Sequence, residues 1–453
     1  MSLVATSVGV GALLTYGLYR RFSRGMLLPK HFKDYDDFKD DLILQPGAVN
    51  RNPYHPDKVP KNLDAIVIGS NLASLTTAAL LAKIGWKVLV VDNAQVAGGS
   101  HLDDTYSLLK LELGFEMTEE ILKLVMNQPV EWDHVSMRDH ISNGYKNLSQ
   151  ESAVFLNKYL NEIQRTSRFR ANFFFFKVLK PIWLRRWLID RMFTLGNEGW
   201  LVDKNFSQLS QLTVAQVLTN KIGISDPDLM ESVRQQFVNE RYLQSNLGLC
   251  DLQASFWLHA LTVNQYMNDK TSPKVDSNDE IVNQIIPTIE KAGGRVLIWN
   301  GVKEIIIEQE DKSIWNLWGW KSSQARVVGV VMANDELEIR APVVISGVGL
   351  NETYGQLLPQ EVVEQYCGWK KLQESGVVSF YSHPGRFDPK ISRYLEPETG
   401  ISGLYLTGKT VTIPGLHGAL ISGLLTASSI LGYGTVLDAF RGRSLVKDLS
   451  HLA

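Results

Sequence analysis

The 453-residue sequence is poor in the residues that build disulfide frameworks and metal sites. Its two cysteines, Cys250 and Cys367, lie far apart and outside any C-x-x-C pair, which excludes a disulfide framework and a cysteine-based zinc site. The nine histidines are scattered without a pair at metal-binding spacing, so we predict no metal site. With a formal net charge of −2, the chain has no surplus of basic residues to neutralise phosphates, and we predict no nucleic-acid partner.

A short run without charged residues stands near the N-terminus. Residues 2–19 carry no charge, and Arg20, Arg21 and Arg24 follow directly. As a helix this run would be about 27 Å long, marginally enough to cross a bilayer. We therefore predict a single-pass transmembrane helix over residues 2–19, in the endoplasmic reticulum or the mitochondrial inner membrane, with its basic flank on the cytoplasmic or matrix side. A cleaved signal peptide would need basic residues before the run, which leaves a helix packed on the protein body as the alternative.

The stretch from Asp64 to Asp92 has the layout of a dinucleotide-binding fingerprint. An apolar run, Ala65–Ile68, predicts a buried parallel strand, and a helix with apolar residues at helical spacing follows it. A second apolar run, Val88–Val91, precedes the acidic Asp92, at the position where a fingerprint carboxylate binds a ribose hydroxyl.

Two of the three fingerprint glycines are missing, because the glycine positions hold Gly69, Asn71 and Ser74. The second glycine lets the backbone approach the pyrophosphate, whose charge rests on the helix N-terminus, and Asn71 adds a side chain there. The third glycine allows close packing of helix and strand, for which Ser74 is small enough. The residues that build the fold are thus kept, and the departures fall where the ligand binds.

Strand and helix signals divide the chain into a discontinuous fold. Residues 20–61 are charged and punctuated by proline, and they predict a linker or surface arm. Residues 62–117, 285–350 and 400–445 carry the strand runs of one Rossmann-type α/β domain. Residues 118–284 and 351–399 predict an inserted helix-rich α+β domain on the substrate or partner side.

Three blocks of the sequence match a known pattern in the same order. The first block matches at Gly69, Leu75, Ala78, Leu81, Gly85, Val88, Val90, Asp92, Gly98 and Gly99. The second matches at Gly293, Gly294, Val302, Ile305, Val328, Gly329, Val330, Ala341, Val344, Ile345 and Ser346. The third, which begins at Gly403, reads G-L-Y-L-T-G…P-G-L-x-G-A-L-x-S-G. Together the blocks resemble the FAD-dependent oxidoreductase family of phytoene desaturases, carotenoid isomerases and retinol saturase, with a degenerate nucleotide fingerprint.

This resemblance implies an FAD-binding Rossmann-type domain and FAD as the cofactor. The implied cofactor-binding residues are Gly69, Ser70, Asn71, Ser74, Asp92, Gly98, Gly99, Gly408, Lys409, Gly415, Leu416 and Gly418. At Lys409 the family usually has an acidic or amide residue. Either Lys409 pairs with the pyrophosphate while Asn71 turns aside as a hydrogen-bond donor, or the site has lost its cofactor and the domain persists as a scaffold.

Two functions follow from these alternatives. The first is a membrane-anchored FAD-dependent oxidoreductase of the retinol saturase and carotenoid desaturase type, which reduces, desaturates or isomerises an apolar polyunsaturated isoprenoid. The second is a catalytically inactive FAD-fold subunit of a membrane protein complex, such as one of the mitochondrial inner membrane. Catalytic residues are not predicted, because in active relatives the flavin performs the hydride chemistry and the protein positions the substrate.

Two aromatic segments predict contact surfaces outside these blocks. Arg168–Phe193 mixes tryptophan and phenylalanine with arginine and lysine, a composition typical of a helix that lies in the bilayer interface. A partner-protein interface or a core helix are the alternatives for this segment. Ile314–Trp320 places Trp315, Trp318 and Trp320 within seven positions, and we predict a second contact surface there.

Overall fold

The computed structural model describes a large part of the chain between residues 50 and 432. The described residues are 50–98, 121–122, 124–126, 132–135, 150–166, 174, 176–178, 182–194, 208–224, 252–267, 270–273, 278–309, 325–378, 382–413 and 416–432. The predicted membrane helix at residues 2–19, Gly99, Gly415 and the tryptophans of Ile314–Trp320 lie outside these ranges. Within the ranges, no helix is both long enough and apolar enough to cross a membrane.

Strands and helices follow one another along the described part of the chain in runs of differing length. The strands are β1 (Ala65–Ile68), β2 (Val88–Val91), β3 (Trp132–Val135), β4 (Lys270–Pro273), β5 (Arg295–Leu297), β6 (Val302–Gln309), β7 (Ala325–Met332), β8 (Glu338–Arg340), β9 (Val343–Ser346) and β10 (Leu404–Leu406). The helices are α1 (Leu72–Lys83), α2 (Gln150–Thr166), α3 (Ile182–Thr194), α4 (Val214–Val217), α5 (Phe256–Met267), α6 (Asn278–Lys291), α7 (Leu350–Gly355), α8 (Gln360–Tyr366), α9 (Trp369–Glu374), α10 (Pro389–Ser392) and α11 (Leu416–Leu431).

Five strands form a parallel sheet in the order β10-β9-β1-β2-β5. The central strand β1 pairs Ala65 with Val88 of β2 on one side and with Val343 of β9 on the other. β1 and β2 are continuous apolar runs, as expected of parallel strands that are covered on both faces, and they are buried along their whole length. The predicted α/β Rossmann-type fold is confirmed.

Helix α1 lies at the centre of this fold, and all twelve of its residues are buried. Helices α6 and α11 both pack against it. The contact with α11 is close: a Cβ on Gly423 would lie 2.6 Å from the Cβ of Thr76, so a glycine is required at that position. Helix α1, the helix of the dinucleotide-binding fingerprint, is therefore part of the protein core.

Antiparallel strands and further helices flank the parallel sheet. β6, β7 and β8 form a three-stranded antiparallel sheet, in which Val330 of β7 pairs with Ile339 of β8. β7 also contacts β9, which joins the two sheets. In the inserted region, α2 packs on α5, and β3 pairs with β4.

Candidate functional site

Three turns meet at the carboxyl edge of the parallel sheet, where ligands bind in open α/β sheets. They follow β1 at Gly69, β9 at Gly347 and β10 at Gly408. A Cβ on Gly69 would lie 3.0 Å from Val348 Cγ1, and one on Gly408 would lie 3.8 Å from the Gly347 carbonyl oxygen. Gly69 and Gly408 have φ of 89° and 86°, a backbone conformation that favours glycine. The predicted residues of the first and third sequence blocks are thus brought together.

Asn71 links two of these turns. It is the N-cap of α1, and its Oδ1 accepts a hydrogen bond from the Ser74 backbone N–H at 3.1 Å. Its Nδ2 donates to the carbonyl oxygen of Gly347 at 2.7 Å. The amide at the missing second glycine therefore caps the helix N-terminus and fastens the turn after β1 to the turn after β9.

Asp92 makes its hydrogen bonds within the protein. Its Oδ2 accepts from both the N–H and the Oγ of Ser70, each at 2.6 Å, and its Oδ1 accepts from the Ala94 N–H at 3.0 Å. The Gly98 N–H in turn donates to Ser70 Oγ at 3.2 Å. A carboxylate offers about four lone-pair positions, so three are already engaged where a ribose hydroxyl would bind.

Ser74 fills the space that the third fingerprint glycine would leave. It is fully buried, and its Oγ has no hydrogen-bond partner within the described part of the chain. A Cβ on Gly347 would collide with this Oγ and would lie 3.0 Å from Asn71 Nδ2. Gly347 is thus the residue whose lack of a side chain makes room for both replacements.

Lys409 follows the turn after β10. It is half-buried, and burial lowers the pKa of its ammonium group, while the Glu352 carboxylate raises this pKa and Arg386 lowers it. The Gly408 N–H before it donates to Ser422 Oγ at 2.8 Å. The Gly418 carbonyl oxygen accepts from Thr412 Oγ1 at 2.6 Å. Leu416 begins α11, but its side chain and Gly415 lie outside the described residues.

Two buried cations, which the sequence did not single out for this site, hold the carbonyl groups of the same turn. Arg386 Nη2 donates to the carbonyl oxygens of Lys409, Thr410 and Thr412 at 2.6, 3.0 and 2.7 Å. Lys177 Nζ donates to the Val411 carbonyl oxygen at 2.8 Å. Burial lowers the pKa of Lys177 to about 7, with Arg386 also lowering it and Glu396 raising it. The backbone of residues 409–412 is therefore held by protein groups.

A buried salt-bridge cluster lies next to Lys177. Arg185 Nη2 lies 3.1 Å from Glu396 Oε2 and 3.3 Å from Glu398 Oε2, and Arg185 Nη1 donates to the Lys177 carbonyl oxygen at 2.6 Å. Burial raises the pKa of Glu396 to about 7, against the opposing effects of Arg185 and Lys177. Sequence composition grouped Lys177 and Arg185 with the membrane-facing residues of Arg168–Phe193, and it contained no signal of these inward contacts.

The inserted region contains a second polar pair that the sequence did not indicate. Tyr159 Oη is hydrogen-bonded to His259 Nε2 in the packing between α2 and α5, and both side chains are buried. Phe256 lies edge-on to Tyr159, with ring centroids 6.4 Å apart. A buried histidine with a protein partner is usually structural, and none of the described turns of the sheet edge contributes to this pair.

The sheet edge has the geometry of a dinucleotide fold, but protein side chains occupy positions that the fingerprint leaves to a ligand. Asn71 places a hydrogen-bonded side chain at the position of closest backbone approach, and its Oδ1 takes the Ser74 N–H of the helix N-terminus. Asp92 is engaged by Ser70. The residues present therefore do not fit FAD in the manner of the fingerprint.

No protein-family model matches the chain. It is 28% identical over 336 residues to the all-trans-retinol 13,14-reductase of Danio rerio, with 70% of this chain and 52% of that protein covered. It is 27% identical over 342 residues to the protein of the same name from Homo sapiens, with 69% and 51% covered. A protein named inactive all-trans-retinol 13,14-reductase, also from Danio rerio, is 25% identical over 377 residues, with 77% and 56% covered.

The chain spans about half the length of these curated relatives. Among solved structures, a putrescine oxidase bound to putrescine matches with a TM-score of 0.43 and 11% identity, over 82% of this chain and 99% of that chain. The sequence matches confirm the prediction that this chain is a relative of the retinol saturase family of FAD-dependent oxidoreductases.

Proposed function

We propose that this chain is a catalytically inactive relative of the retinol saturases, and that its FAD-type fold serves as a structural subunit of a membrane protein complex. The Asn71 side chain carries the proposal of inactivity, because it occupies the position where a glycine would admit the pyrophosphate. A cofactor that displaced it would break the hydrogen bonds to Ser74 and Gly347. Each bond contributes about 1 kcal/mol, and the buried groups left unpaired add to the cost.

Two further observations support this proposal. The carbonyl groups of residues 409–412 are already held by Arg386 and Lys177, so this turn needs no ligand to keep its shape. One of the similar proteins from Danio rerio is itself named inactive. Loss of activity within this fold therefore has a precedent among the relatives.

FAD titration of the purified full-length protein tests the proposal. We expect a colourless, folded protein that takes up no FAD, and a gain of FAD binding in Asn71→Gly. The matched control is Asn62→Gly, an exposed asparagine whose φ of 59° suits glycine, and it should show no gain. A yellow preparation with stoichiometric FAD would contradict the proposal.

The second candidate is a membrane-anchored FAD-dependent oxidoreductase that acts on an apolar polyunsaturated isoprenoid. Lys409 favours it, because a half-buried cation beside the turns of Gly347 and Gly408 supplies positive charge for a pyrophosphate. The relatives named retinol 13,14-reductase also favour it. Bound FAD would supply hydride chemistry, and Lys409 and Asp92 would hold its phosphate and ribose groups. The same titration separates the two candidates.

A further inference from the structure

Helix α3 has one face fixed in the protein and one face that carries exposed tryptophans. Arg185 and Ile189 are buried on the inner face. Trp183 and Trp187, four positions apart and therefore on one side of the helix, are 70% and 43% exposed. No other large apolar side chain in the described ranges has as great an exposed fraction as Trp183.

Ion pairs hold the inner face of α3 against the rest of the protein. Arg185 contacts Glu396 and Glu398, and both carboxylates belong to the segment that leads into β10. Removing one member of a buried ion pair leaves an uncompensated charge, so this contact strongly favours a single orientation of the helix. The two tryptophans consequently project outward because the core fixes their helix.

The charge of this segment suits an anionic surface. Asp190 is the one acidic residue of Arg168–Phe193, against the basic residues Arg168, Arg170, Lys177, Lys180, Arg185, Arg186 and Arg191. Lys177 and Arg185 point inward, whereas Arg186 is exposed between the tryptophans and Asp190 is exposed one turn further along the same face. Indole rings next to arginine are suited to the boundary between lipid headgroups and acyl chains.

We propose that the outer face of α3, formed by Trp183, Arg186 and Trp187, docks on the surface of an anionic lipid bilayer. The helix is 13 residues long, which gives about 20 Å at ~1.5 Å per residue and is too short to span a bilayer. It therefore lies in the plane of the interface, with both indoles among the headgroups. This docking rests on the membrane association of the proposed function, and it does not depend on FAD.

Quenching of tryptophan emission by lipids with a nitroxide near the headgroup tests the docking on the full-length protein. The vesicles are phosphatidylcholine with and without phosphatidylserine. We expect quenching in wild type, and loss of most of the quenched emission in the double variant Trp183→Ala, Trp187→Ala. The matched control is Trp299→Ala, which removes an indole that is 54% exposed beyond β5 and should leave the quenched emission unchanged. Arg186→Glu should weaken quenching only on the phosphatidylserine vesicles.

Each other result overturns the docking. If wild type binds vesicles but the double variant retains all quenched emission, another segment such as residues 2–19 holds the membrane, and the proposed membrane association stands without α3. If the wild-type protein binds no vesicles, both the docking of α3 and the proposed membrane association fail. If the emission is unquenched and sedimentation shows an oligomer that the double variant loses, the face binds a second copy of this chain.

Discussion

The Nδ2 of Asn71 lies 2.7 Å from the carbonyl oxygen of Gly347, 276 positions further along the chain. This hydrogen bond joins the turns of two neighbouring parallel strands at the edge where dinucleotides bind in this fold. Its strength and its consequences can be measured with single substitutions.

Asn71→Asp separates the helix-capping role of this side chain from its hydrogen bond to Gly347. Aspartate keeps the N-cap bond from Ser74, and its charge suits a helix N-terminus. It has no hydrogen to donate to Gly347, and two acceptors would face each other. We expect a loss of about 1–2 kcal/mol in the free energy of unfolding, measured by urea denaturation. An unchanged or increased stability would show that the bond to Gly347 contributes nothing.

Lys409→Ala distinguishes an empty site from an occupied one. Without FAD, we expect a change within about 0.5 kcal/mol, similar to that of the exposed control Lys390→Ala, because Arg386 binds the backbone carbonyl of residue 409 in either case. Thermal unfolding midpoints with and without added FAD are the measurement. A wild-type midpoint that rises with FAD, and a Lys409→Ala midpoint that does not, would support the oxidoreductase instead.

Two adjacent arginines provide a matched pair for the buried cluster. Arg185→Ala leaves the Glu396 and Glu398 carboxylates without their bridging partner, and we expect a loss of about 3–5 kcal/mol. Arg186→Ala removes an exposed charge and should cost no more than about 0.5 kcal/mol. Urea unfolding of both variants checks the contrast. Equal effects would mean that the cluster does not hold α3.

The pH dependence of stability should carry the signature of Glu396. Its pKa in the folded protein is about 7, above the ordinary value of 4.5, so the folded state binds more protons between these pH values. The stabilisation is therefore fully present below pH 4.5 and is lost as the pH rises through 7. Glu396→Gln cannot lose the proton. We expect the stability of wild type relative to Glu396→Gln to fall by up to a few kcal/mol over this range.

Lys177 should make the free energy of unfolding change with pH in the opposite direction, at higher pH. Its pKa of about 7 lies below the ordinary 10.5, so the unfolded state binds more protons between these values, and its contribution to stability grows as the pH rises. Chemical denaturation across the pH range checks the slopes of stability against pH for Lys177 and for Glu396.

For Glu396, a difference in stability between wild type and Glu396→Gln that does not vary with pH would contradict a raised pKa.

The predicted helix at residues 2–19 has its own test. A spanning helix should keep the full-length protein in the membrane pellet during carbonate extraction, and release by carbonate would refute it. Deletion of residues 1–24 should release the protein only partly if the outer face of α3 also holds lipid. Complete release would mean that α3 contributes no membrane contact.

The fold was largely predictable because its signals are local. The apolar runs of β1 and β2 and the turn at Gly69 depend on neighbouring residues, and they appear where expected. Whether the site is open to a ligand was not predictable, because this depends on residues that are far apart in the sequence. Asn71 departs from the fingerprint in the sequence alone, but whether its side chain turns toward a ligand or toward Gly347 depends on a turn far away in the sequence.

Composition was a poor guide to the buried cations. Lys177 and Arg185 lie among aromatic and basic residues that are typical of a membrane surface, but their partners come from residues 395–411. A charged residue is buried only where specific acceptors surround it, and no periodic pattern reports such acceptors. The exposed Arg186 next to them has the same chemistry and a different environment.

The hydrogen bonds from Arg386 to three backbone carbonyl groups have a consequence for how this protein responds to the cell's supply of riboflavin. A protein that binds a cofactor only when folded gains stability in proportion to the logarithm of the cofactor concentration, and it loses that gain when the cofactor is scarce. Here a guanidinium group encoded in the chain holds the turn. If the chain binds no FAD, as we propose, its abundance should stay constant during riboflavin starvation, whereas flavoproteins that depend on bound FAD for stability should become less abundant.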